Sequence, residues 1–415
     1  MNVVAKAALI LVIFIDIMGQ GLVFPIVDTL VMDPQKGILP AGTPQYARQF
    51  SYGLVIGTFF LSWFLGAPYV SKLSDVIGRK RAIMVCLVGA FSGYALTVVA
   101  IELGSFWLLI VGRAITGFTA ANQPIAQAAL IDSSANEAER ARNMGLSMLG
   151  VSLGLLAGPA IGGVASDPNL IGSVASIVLP FYIALGIVGG TGLLVVVFFH
   201  DVRTERLPFR FRVLEVFESL YRLRRYPLVM RITAVLFFFH LANATFYIFI
   251  GSYMATEFGY RTLGNSLIML TIGCAIASSS TFLVVPAQKW LTKRAILQAT
   301  FIVWLVCLVA VVLLKVPSLV FVPVFGFYFI FGIAYPTFLA IYSLTVGDDE
   351  QGWVMGVAIA VFTLTGGTMS LVGGSLMALY VDMPFYVSIF GAAAGLAAMA
   401  LLWRDPAVRR ITGKG

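Results

Sequence analysis

Two charged side chains interrupt long apolar segments of this sequence. Asp16 lies in the apolar segment 5–31 and Arg113 in the segment 105–130. At ~1.5 Å per helical residue, the two would lie ~17 Å and ~12 Å deep, counted from opposite faces of a membrane. In a hydrocarbon core of ~30 Å, these depths from opposite faces place both side chains at nearly the same level. We therefore expect the two side chains to form an ion pair or a water-bridged pair.

An acid at this depth can carry a proton. Burial raises the pKa of a carboxyl group in general, whereas a nearby guanidinium lowers it, so an acid beside a removable partner can both take up and release a proton. We therefore interpret Asp16 and Arg113 as a proton-coupling pair. A static buried ion pair that joins the first and fourth helices is the alternative.

Other polar side chains inside apolar segments are candidate substrate contacts. His240, Asn243 and Tyr247 share one helical face because they are spaced i, i+3, i+7. A role in hydrogen bonds between helices is the alternative for each residue. The full candidate set is Gln20, Asn122, Gln123 and Gln127 in the first half of the chain, and His240, Asn243, Tyr247 and Tyr335 in the second.

The composition requires a membrane. Of the 415 residues, 60% are hydrophobic and only 11% are charged, whereas a soluble domain is roughly 45–50% apolar and about 25% charged. The apolar residues form blocks of about twenty, the length that crosses a bilayer. We predict an all-α membrane protein with spans near 5–31, 50–71, 82–102, 105–130, 143–166, 175–199, 229–256, 263–286, 293–314, 317–346, 351–378 and 383–403.

The basic residues set the predicted orientation. Most of the 27 Lys and Arg residues fall in loops on the side of the two termini. The opposite loops hold only Lys36, Arg48, Arg261 and Lys315. This excess predicts that both termini are cytoplasmic in a multi-pass protein of the cell (inner) membrane. It also explains the net charge of +8 without a nucleic-acid partner.

The two halves of the chain repeat one another at a nearly constant offset. Parallel repeats of this kind place a substrate site between two bundles near the membrane midplane. We predict a six-helix bundle over 1–200, a linker over 201–228 and a second six-helix bundle over 229–415. The matches are residues 80–83 with 293–296, Pro124 with Pro336, and residues 144–145 with 355–356.

The linker carries apolar side chains on one helical face. Leu214, Phe217, Leu220 and Tyr221 share that face, and arginines lie mostly elsewhere. This pattern is typical of an amphipathic helix on a membrane surface. A solvated tether between the halves is an equal alternative.

The loop between the second and third spans carries a gating motif. Gly78 permits a tight turn. Arg79 can pair with Asp132 at the end of the fourth span, and Asp75 can face the N-terminus of a neighbouring helix. We interpret Asp75, Gly78, Arg79 and Asp132 as a latch. The alternative, anchoring by positive charge alone, does not explain the aspartate and the glycine.

Small residues recur along the fifth span. They form a groove against which another helix can pack closely, and the proline can kink the helix. A dinucleotide-binding loop is strongly disfavoured because these residues lie inside an apolar span and no strand precedes them. The set is Gly150, Gly154, Gly158, Pro159, Gly162 and Gly163.

These motifs resemble the major facilitator superfamily over essentially the whole chain. The loop 71–81, the pattern Arg113-x-x-x-Gly117 and the glycines of the fifth span resemble its drug:proton antiporter branch. Residues 16–25 resemble the first helix of tetracycline-efflux proteins. The resemblance implies the major facilitator fold of two pseudo-symmetric bundles. It also implies that Asp75 faces the eleventh span and that the glycine groove closes a leak path between the halves.

The sequence departs from this pattern in places. Ser71 replaces the first glycine of the loop motif, and Val76 replaces a basic residue. Tetracycline-efflux proteins have further membrane acids in the third and ninth helices, which this chain lacks. Asp16 is therefore expected to be the one acid well inside a span.

We expect a secondary active transporter that exports a small amphipathic or aromatic organic compound in exchange for protons, by alternating access. Uptake of a nutrient or siderophore-like solute is the alternative, and a membrane enzyme or channel is a third. Cys86, Cys274 and Cys307 form no C-x-x-C pair and there are only 2 His, so we expect no metal and no cofactor. Substrate, protons and lipid are the expected partners of a monomer with no catalytic residues.

Overall fold

The computed structural model describes residues 2–35, 37–201 and 215–413. Lys36, Lys414 and most of the linker, including Leu214 and four of its arginines, lie outside the described residues. The long helices are α1 (Val3–Met32), α2 (Gln45–Ile77), α3 (Arg79–Glu102), α6 (Glu137–Ser166), α8 (Leu179–Phe198), α10 (Pro227–Phe258), α11 (Thr262–Phe282), α13 (Lys293–Leu313), α14 (Pro317–Ser343), α15 (Gln351–Leu379) and α16 (Met383–Leu402).

Shorter helices connect these elements. They are α4 (Phe106–Phe118), α5 (Asn122–Asp132), α7 (Pro168–Ile171), α9 (Glu215–Arg222), α12 (Val284–Trp290) and α17 (Pro406–Thr412). Single 3₁₀ turns occur at Gly172–Val174, Leu223–Arg225 and Asp348–Glu350. Within the described ranges, 11 helices are long and apolar enough to cross a membrane. The chain is therefore a multi-pass membrane protein.

The predicted fourth span is a broken helix. It consists of α4 and α5, separated by Thr119–Ala121. Pro124, in the first turn of α5, has no backbone N–H, and its ring would clash with the carbonyl of residue 120 in a continuous helix. The break leaves backbone N–H groups at the start of α5 without intrahelical acceptors. Neither half alone is long enough to span, which is why 11 continuous spans are found where twelve were predicted.

The described chain forms two compact units. Unit 1 comprises residues 1–212 together with 261–267, and unit 2 comprises residues 213–260 and 268–415. The first six residues of α11 therefore belong to unit 1 and the rest of that helix to unit 2. Unit 2 has an aromatic core in which Trp304 stacks on Phe327 with ring centroids 4.3 Å apart, and Trp304 Nε1 donates to the Phe327 carbonyl.

The linker helix α9 packs on the first turn of α15 within unit 2. Trp353 Nε1 donates to the Ser219 carbonyl at 3.2 Å, and the Arg222 guanidinium lies 4.6 Å from the Trp353 ring centroid. The Phe217 and Tyr221 side chains stay exposed. One side of α9 thus packs on α15, and the side chains of Phe217 and Tyr221 lie outside that contact.

Two of the four basic residues expected on the side opposite the termini have structural partners. Lys315 Nζ lies 3.1 Å from Glu257 Oε1 and 3.6 Å from Asp382 Oδ1, so within unit 2 it ties its own loop to the end of α10 and to the start of α16. Partial desolvation acts to lower the pKa of Lys315, but its hydrogen bonds to Glu257 and Tyr253 outweigh this and raise the pKa. The ammonium group therefore remains charged at neutral pH.

Arg48 organises the loop between α1 and α2. Its guanidinium is buried and donates to the backbone carbonyls of five residues around that loop, at 2.7–3.4 Å. A guanidinium is suited to this task because its N–H groups radiate in a fixed plane. The five carbonyls are those of Val31, Asp33, Pro40, Ala41 and Thr43.

We predict that Arg48→Gln lowers the free energy of unfolding by about 3 kcal/mol, because several buried carbonyls lose a charged donor. Arg48→Lys should rescue little, since one ammonium group cannot reach the same set of acceptors. The exposed Arg261 provides the matched control, and Arg261→Gln should leave stability unchanged. Denaturation of the purified protein in detergent measures all three. Equal stability of Arg48→Gln and Arg261→Gln would contradict this role.

Candidate functional site

The Asp16 carboxylate caps the N-terminus of α5. Its Oδ2 accepts the Gln123 backbone N–H at 3.1 Å, and its Oδ1 lies 3.5 Å from Asn122 Nδ2. The break in the fourth span creates this site because it exposes the free N–H groups of α5 inside the bundle. The positive end of a helix dipole stabilises a carboxylate there. An acid deep in α1 is thus held by the backbone of another helix.

Arg113 lies on the same small cavity but is not the direct partner of Asp16. Among the described contacts there is no ion pair between the two side chains. The Arg113 guanidinium instead lies 4.4 Å from the Phe59 ring centroid, and its Nε is buried without a hydrogen-bond partner. The predicted direct pairing is therefore not the arrangement observed, because the helix N-terminus takes the position of the counter-charge. The cavity is ≈ 30 Å³, enough for one or two water molecules, which leaves the water-bridged pair open.

The four polar candidates of unit 1 are only partly brought together. Gln20 and Asn122 line the cavity with Asp16. Gln123 contributes its backbone N–H to the carboxylate. Gln127 lies one turn further along α5 and is half-buried. Three of the four thus surround Asp16, and nothing places Gln127 on the cavity.

The polar candidates of unit 2 lie in an aromatic environment. His240 is 1% exposed, with the rings of Tyr335 and Phe362 at 5.9 and 5.1 Å between centroids. Both ring nitrogens of His240 and Oδ1 of Asn243 are buried without a described hydrogen-bond partner. Tyr247, one turn beyond Asn243, lies 6.2 Å from the ring of Tyr328.

Tyr328 was not predicted, and its hydroxyl is also buried without a described partner. Leaving buried polar atoms unpaired costs roughly 1–3 kcal/mol each, so a cluster of them needs an explanation.

The glycines of α6 pack against α1. A Cβ atom on Gly150, Gly154, Gly158 or Gly162 would approach in turn the carbonyl oxygens of residues 10, 14, 18 and 22 of α1. Each glycine thus faces a successive turn of the helix that carries Asp16. Gly163 differs from them, because its Cβ would approach Ser266 in the first turn of α11. That this groove closes a leak path between the halves stays a prediction.

An ion pair closes the end of the α1–α6 contact. Lys6 Nζ lies 2.6 Å from Glu139 Oε1. The hydrogen bond from Lys6 lowers the pKa of Glu139, with a further contribution from the Ala135 N–H. Glu139 therefore remains ionised at neutral pH, and the two helices are joined from this pair along the glycine groove.

The predicted latch residues meet within unit 1. Arg79 Nη1 lies 2.8 Å from Asp75 Oδ1, and Arg79 Nε lies 3.2 Å from Asp132 Oδ2. We refer to Asp75, Arg79 and Asp132 as the Arg79 cluster. Gly78 has φ +94°, a conformation that only glycine adopts readily. The expectation that Asp75 also faces the start of the eleventh span stays a prediction.

Asp201, just after α8, contacts this loop and was not predicted from the sequence. The Asp201 carboxylate accepts the Lys80 backbone N–H at 2.8 Å, near the N-terminus of α3. A side chain at position 78 would collide with that carboxylate. The position of Asp201 just after α8, where an acid can approach a helix N-terminus, was the signal available.

A second acid in α1 is buried and was not predicted from the sequence. Asp28 is 2% exposed, and Asn265 Nδ2 donates to its Oδ2 at 2.8 Å. One residue along, the Thr29 and Thr262 hydroxyls lie 2.7 Å apart. Asp16 is therefore not the only acid buried in a span. Asn265 is 237 residues from Asp28, so only the fold could reveal the pair.

Comparison with known proteins places this chain. The family model described as Major Facilitator Superfamily matches residues 9–368. The chain belongs to the Major Facilitator Superfamily. It is therefore a transporter and not an enzyme, and its all-helical, multi-span architecture is the fold of that superfamily.

Relatives within the superfamily are resistance proteins. The chain is 27% identical over 363 residues to the class C tetracycline resistance protein of Escherichia coli, covering 86% of each chain. It is 28% identical over 373 residues to the class D protein of Salmonella ordonez, covering 88% of this chain and 87% of that protein. It is 24% identical over 402 residues to the quinolone resistance protein NorA of Staphylococcus aureus, covering 92% of each. These matches confirm the resemblance predicted from the motifs.

Solved structures of the superfamily share the fold at low identity. The crystal structure of the human organic anion transporter MFSD10 matches with a TM-score of 0.71 at 18% identity, over 96% of this chain and 99% of that one. A D-xylose-proton symporter matches with a TM-score of 0.74 at 12% identity, over 97% and 98%. At these identities the likeness concerns the fold alone.

Two substitutions of different severity test whether the close α1–α6 contact is needed for transport. A Cβ on Gly158 would collide with the Met18 carbonyl, whereas the nearest atom to a Cβ on Gly162 would be 3.2 Å away. Gly158→Ala should therefore force the helices apart and reduce transport at least tenfold, with a smaller loss for Gly162→Ala. Initial transport rates, normalised to the amount of folded protein, measure both effects.

Gly145→Ala is the matched control in the same helix. No atom lies within 4 Å of a Cβ at position 145, so alanine should leave transport intact and stabilise the helix by roughly 0.5–1 kcal/mol. If Gly158→Ala and Gly145→Ala transported equally well, close approach of α1 and α6 would have no part in transport.

Proposed function

We propose that this transporter exports a small amphipathic or aromatic organic compound in exchange for protons, by alternating access, from the cell (inner) membrane with both termini cytoplasmic. The observation that carries the proposal is the Asp16 carboxylate at the N-terminus of α5, on a cavity shared with Arg113. While α5 stays in contact, its N-terminus favours the ionised form of Asp16. In a state in which α5 has moved away, burial favours the protonated form.

Protonation of Asp16 changes what holds α5. An ionised carboxylate at a helix N-terminus is worth ~0.3–1 kcal/mol when exposed and up to ~2 kcal/mol when partly buried. A protonated carboxyl loses the attraction to the dipole and accepts the Gln123 N–H only weakly. One proton thus loosens α5 by an amount that shifts a two-state equilibrium by up to roughly thirtyfold.

The other end of α5 connects the Asp16 site to the Arg79 cluster. α5 is 11 residues long, or ~16 Å, and its last residue is Asp132. Asp132 accepts from Arg79, which also pairs with Asp75. A small rigid displacement of α5 therefore changes the geometry of that cluster. This gives proton uptake a physical route to the gating motif within a single unit.

The unpaired atoms around His240 favour a substrate with both a ring and hydrogen-bonding groups. His240, Asn243 and Tyr328 offer buried polar atoms without described partners, among the rings of Tyr335 and Phe362. A flat molecule with polar edges satisfies both features of this environment. Relatives named for resistance to tetracyclines and quinolones, which are fused-ring compounds, support the same substrate class.

Import of a nutrient or siderophore-like solute remains the second candidate. It rests on the same proton site, because direction follows from gradients and affinities rather than from the fold. A transport assay in everted vesicles with an acidified lumen distinguishes export from import. An exchanger accumulates its compound in such vesicles, whereas a proton-coupled importer does not.

We predict that Asp16→Asn abolishes uphill accumulation in these vesicles. Asparagine keeps the size of the side chain and can still accept the Gln123 N–H, so folding is preserved while the exchangeable proton is lost. Tetracycline, a fluoroquinolone and ethidium serve as probes. Glu102→Gln, at an exposed site at the end of α3, is the control and should transport normally.

Downhill movement of the probe should survive in Asp16→Asn, which separates coupling from binding. If the mutant still concentrated the probe against its gradient, the proton carrier would lie elsewhere. His240 would then be the next residue to replace.

A further inference from the structure

We propose that Tyr94 is a positioning residue of the coupling site, whose hydroxyl joins Asp16 and Arg113 through the cavity and sets the pH at which Asp16 takes up its proton. This rests on the proposed function of Asp16. Neither the loop motif nor the glycine groove involves Tyr94, and nothing in the sequence marks it out from the other aromatic residues of the spans.

Gly19 makes room for the Tyr94 hydroxyl. Gly19 follows Asp16 by three residues, so the two lie on one face of α1. A Cβ atom at position 19 would overlap with Tyr94 Oη, and the next nearest ring atom, Cζ, would be 3.3 Å away. The phenol oxygen thus occupies the space that the missing side chain leaves, one turn from the carboxylate. Position 19 must therefore be glycine chiefly because a larger side chain would overlap with the hydroxyl, and less because of the ring.

The hydroxyl faces polar groups across the cavity. Tyr94, Asp16 and Arg113 all line its ≈ 30 Å³, and Tyr94 is 6% exposed. None of the described hydrogen bonds involves Tyr94 Oη, and Arg113 Nε is buried without a described partner. A water molecule needs two to four polar partners, and these three side chains provide them. Tyr94 can donate to the carboxylate side of the cavity while Arg113 donates from the other.

Among the described residues, few charged or titratable groups lie near Asp16. Arg113 from α4 and the titratable Cys86 and Tyr94 from α3 are the groups near it. In α2, α5 and α6 the charged residues lie towards the helix ends, and α8 has none. The Gln123 N–H and Asn122 Nδ2 already donate to the carboxylate, and few further groups could replace a hydroxyl donor, so losing the hydroxyl should weaken the ionised form of Asp16.

Tyr94→Phe isolates the hydroxyl. The ring packs against Phe181 with centroids 6.2 Å apart, and phenylalanine preserves that contact. The hydroxyl contributes to ionisation of Asp16, whereas a purely structural tyrosine would not. Removing a donor to the carboxylate makes protonation easier, so Asp16 should titrate about one pH unit higher in this variant, a tenfold change in proton affinity.

Infrared pH titration of the purified protein measures this without any transported compound. The carboxyl band of Asp16 is identified by its absence in Asp16→Asn. The titration midpoint is then compared among wild type, Tyr94→Phe, Gly19→Ala and the double variant. Gly19→Ala should shift the midpoint in the same direction, because alanine displaces the hydroxyl from the cavity.

The double variant gives the sharpest result. Once the hydroxyl is gone, alanine at position 19 has nothing to displace, so the double variant should titrate like Tyr94→Phe alone. Gly186→Ala, where no atom lies within 4 Å of a Cβ, is the control and should titrate like wild type.

Each outcome decides a different point. A wild-type midpoint in Tyr94→Phe, or additive shifts in the double variant, would overturn the role of Tyr94 and leave Asp16 as the carrier. A spectrum in which no carboxyl band depends on Asp16 would overturn the proposed function itself, and the role of Tyr94 with it.

Discussion

The contact between the Asp16 carboxylate and the first turn of α5 is the interaction on which the rest of the site depends. It joins two features that are costly in a membrane, an ionisable side chain deep in a span and a helix terminus with free N–H groups. Each satisfies the other, since Asp16 accepts from Gln123 and the positive end of α5 offsets the negative charge. When the carboxylate is protonated, the free N–H groups of α5 lose their charged acceptor. This dependence on one proton makes the contact suitable as a switch.

Neighbouring helices hold both members of this contact in place. The glycines of α6 let α1 approach at backbone distance over four successive turns, which fixes the depth and rotation of Asp16. Pro124 limits where α5 can begin, and Asp132 at its far end is held by Arg79. Arg113 lies over Phe59 and lines the same cavity as Asp16, without a described ion pair between them.

How much of this follows from the sequence depends on the range of the interaction. Apolar blocks of about twenty residues predict the spans because bilayer thickness acts locally on the chain. Asp16 and Arg113 stand out for the same reason, as charges where few are tolerated. The partner of Asp16 could not be predicted, because it exists only once the fourth span breaks at Thr119–Ala121. Pro124 was visible as half of a repeat, but the sequence alone does not decide between a kink and a break.

Residues that act through distant partners were also missed. Asp28 reads as a helix-end acid until Asn265 is placed beside it. Arg48 reads as an exception to the charge rule until the five carbonyls around it are seen. Conversely, Arg79 and Asp132 were predicted as a pair from charge and position, and the structure brings them to 3.2 Å. Pairs that the span pattern places at one membrane depth are thus accessible to sequence reasoning, and those that need a break or a loop conformation are not.

The most direct test of the account is amide hydrogen exchange at the first turn of α5, at the backbone N–H groups of residues 122, 123 and 125, compared between wild type and Asp16→Asn at acidic and neutral pH. Rates are corrected for the pH dependence of chemical exchange. If protonation of Asp16 releases α5, this turn loses protection at acidic pH in wild type and shows no such change in Asp16→Asn, whose side chain does not titrate. The same pH dependence in both proteins would contradict the account, because α5 would then respond to a group other than Asp16.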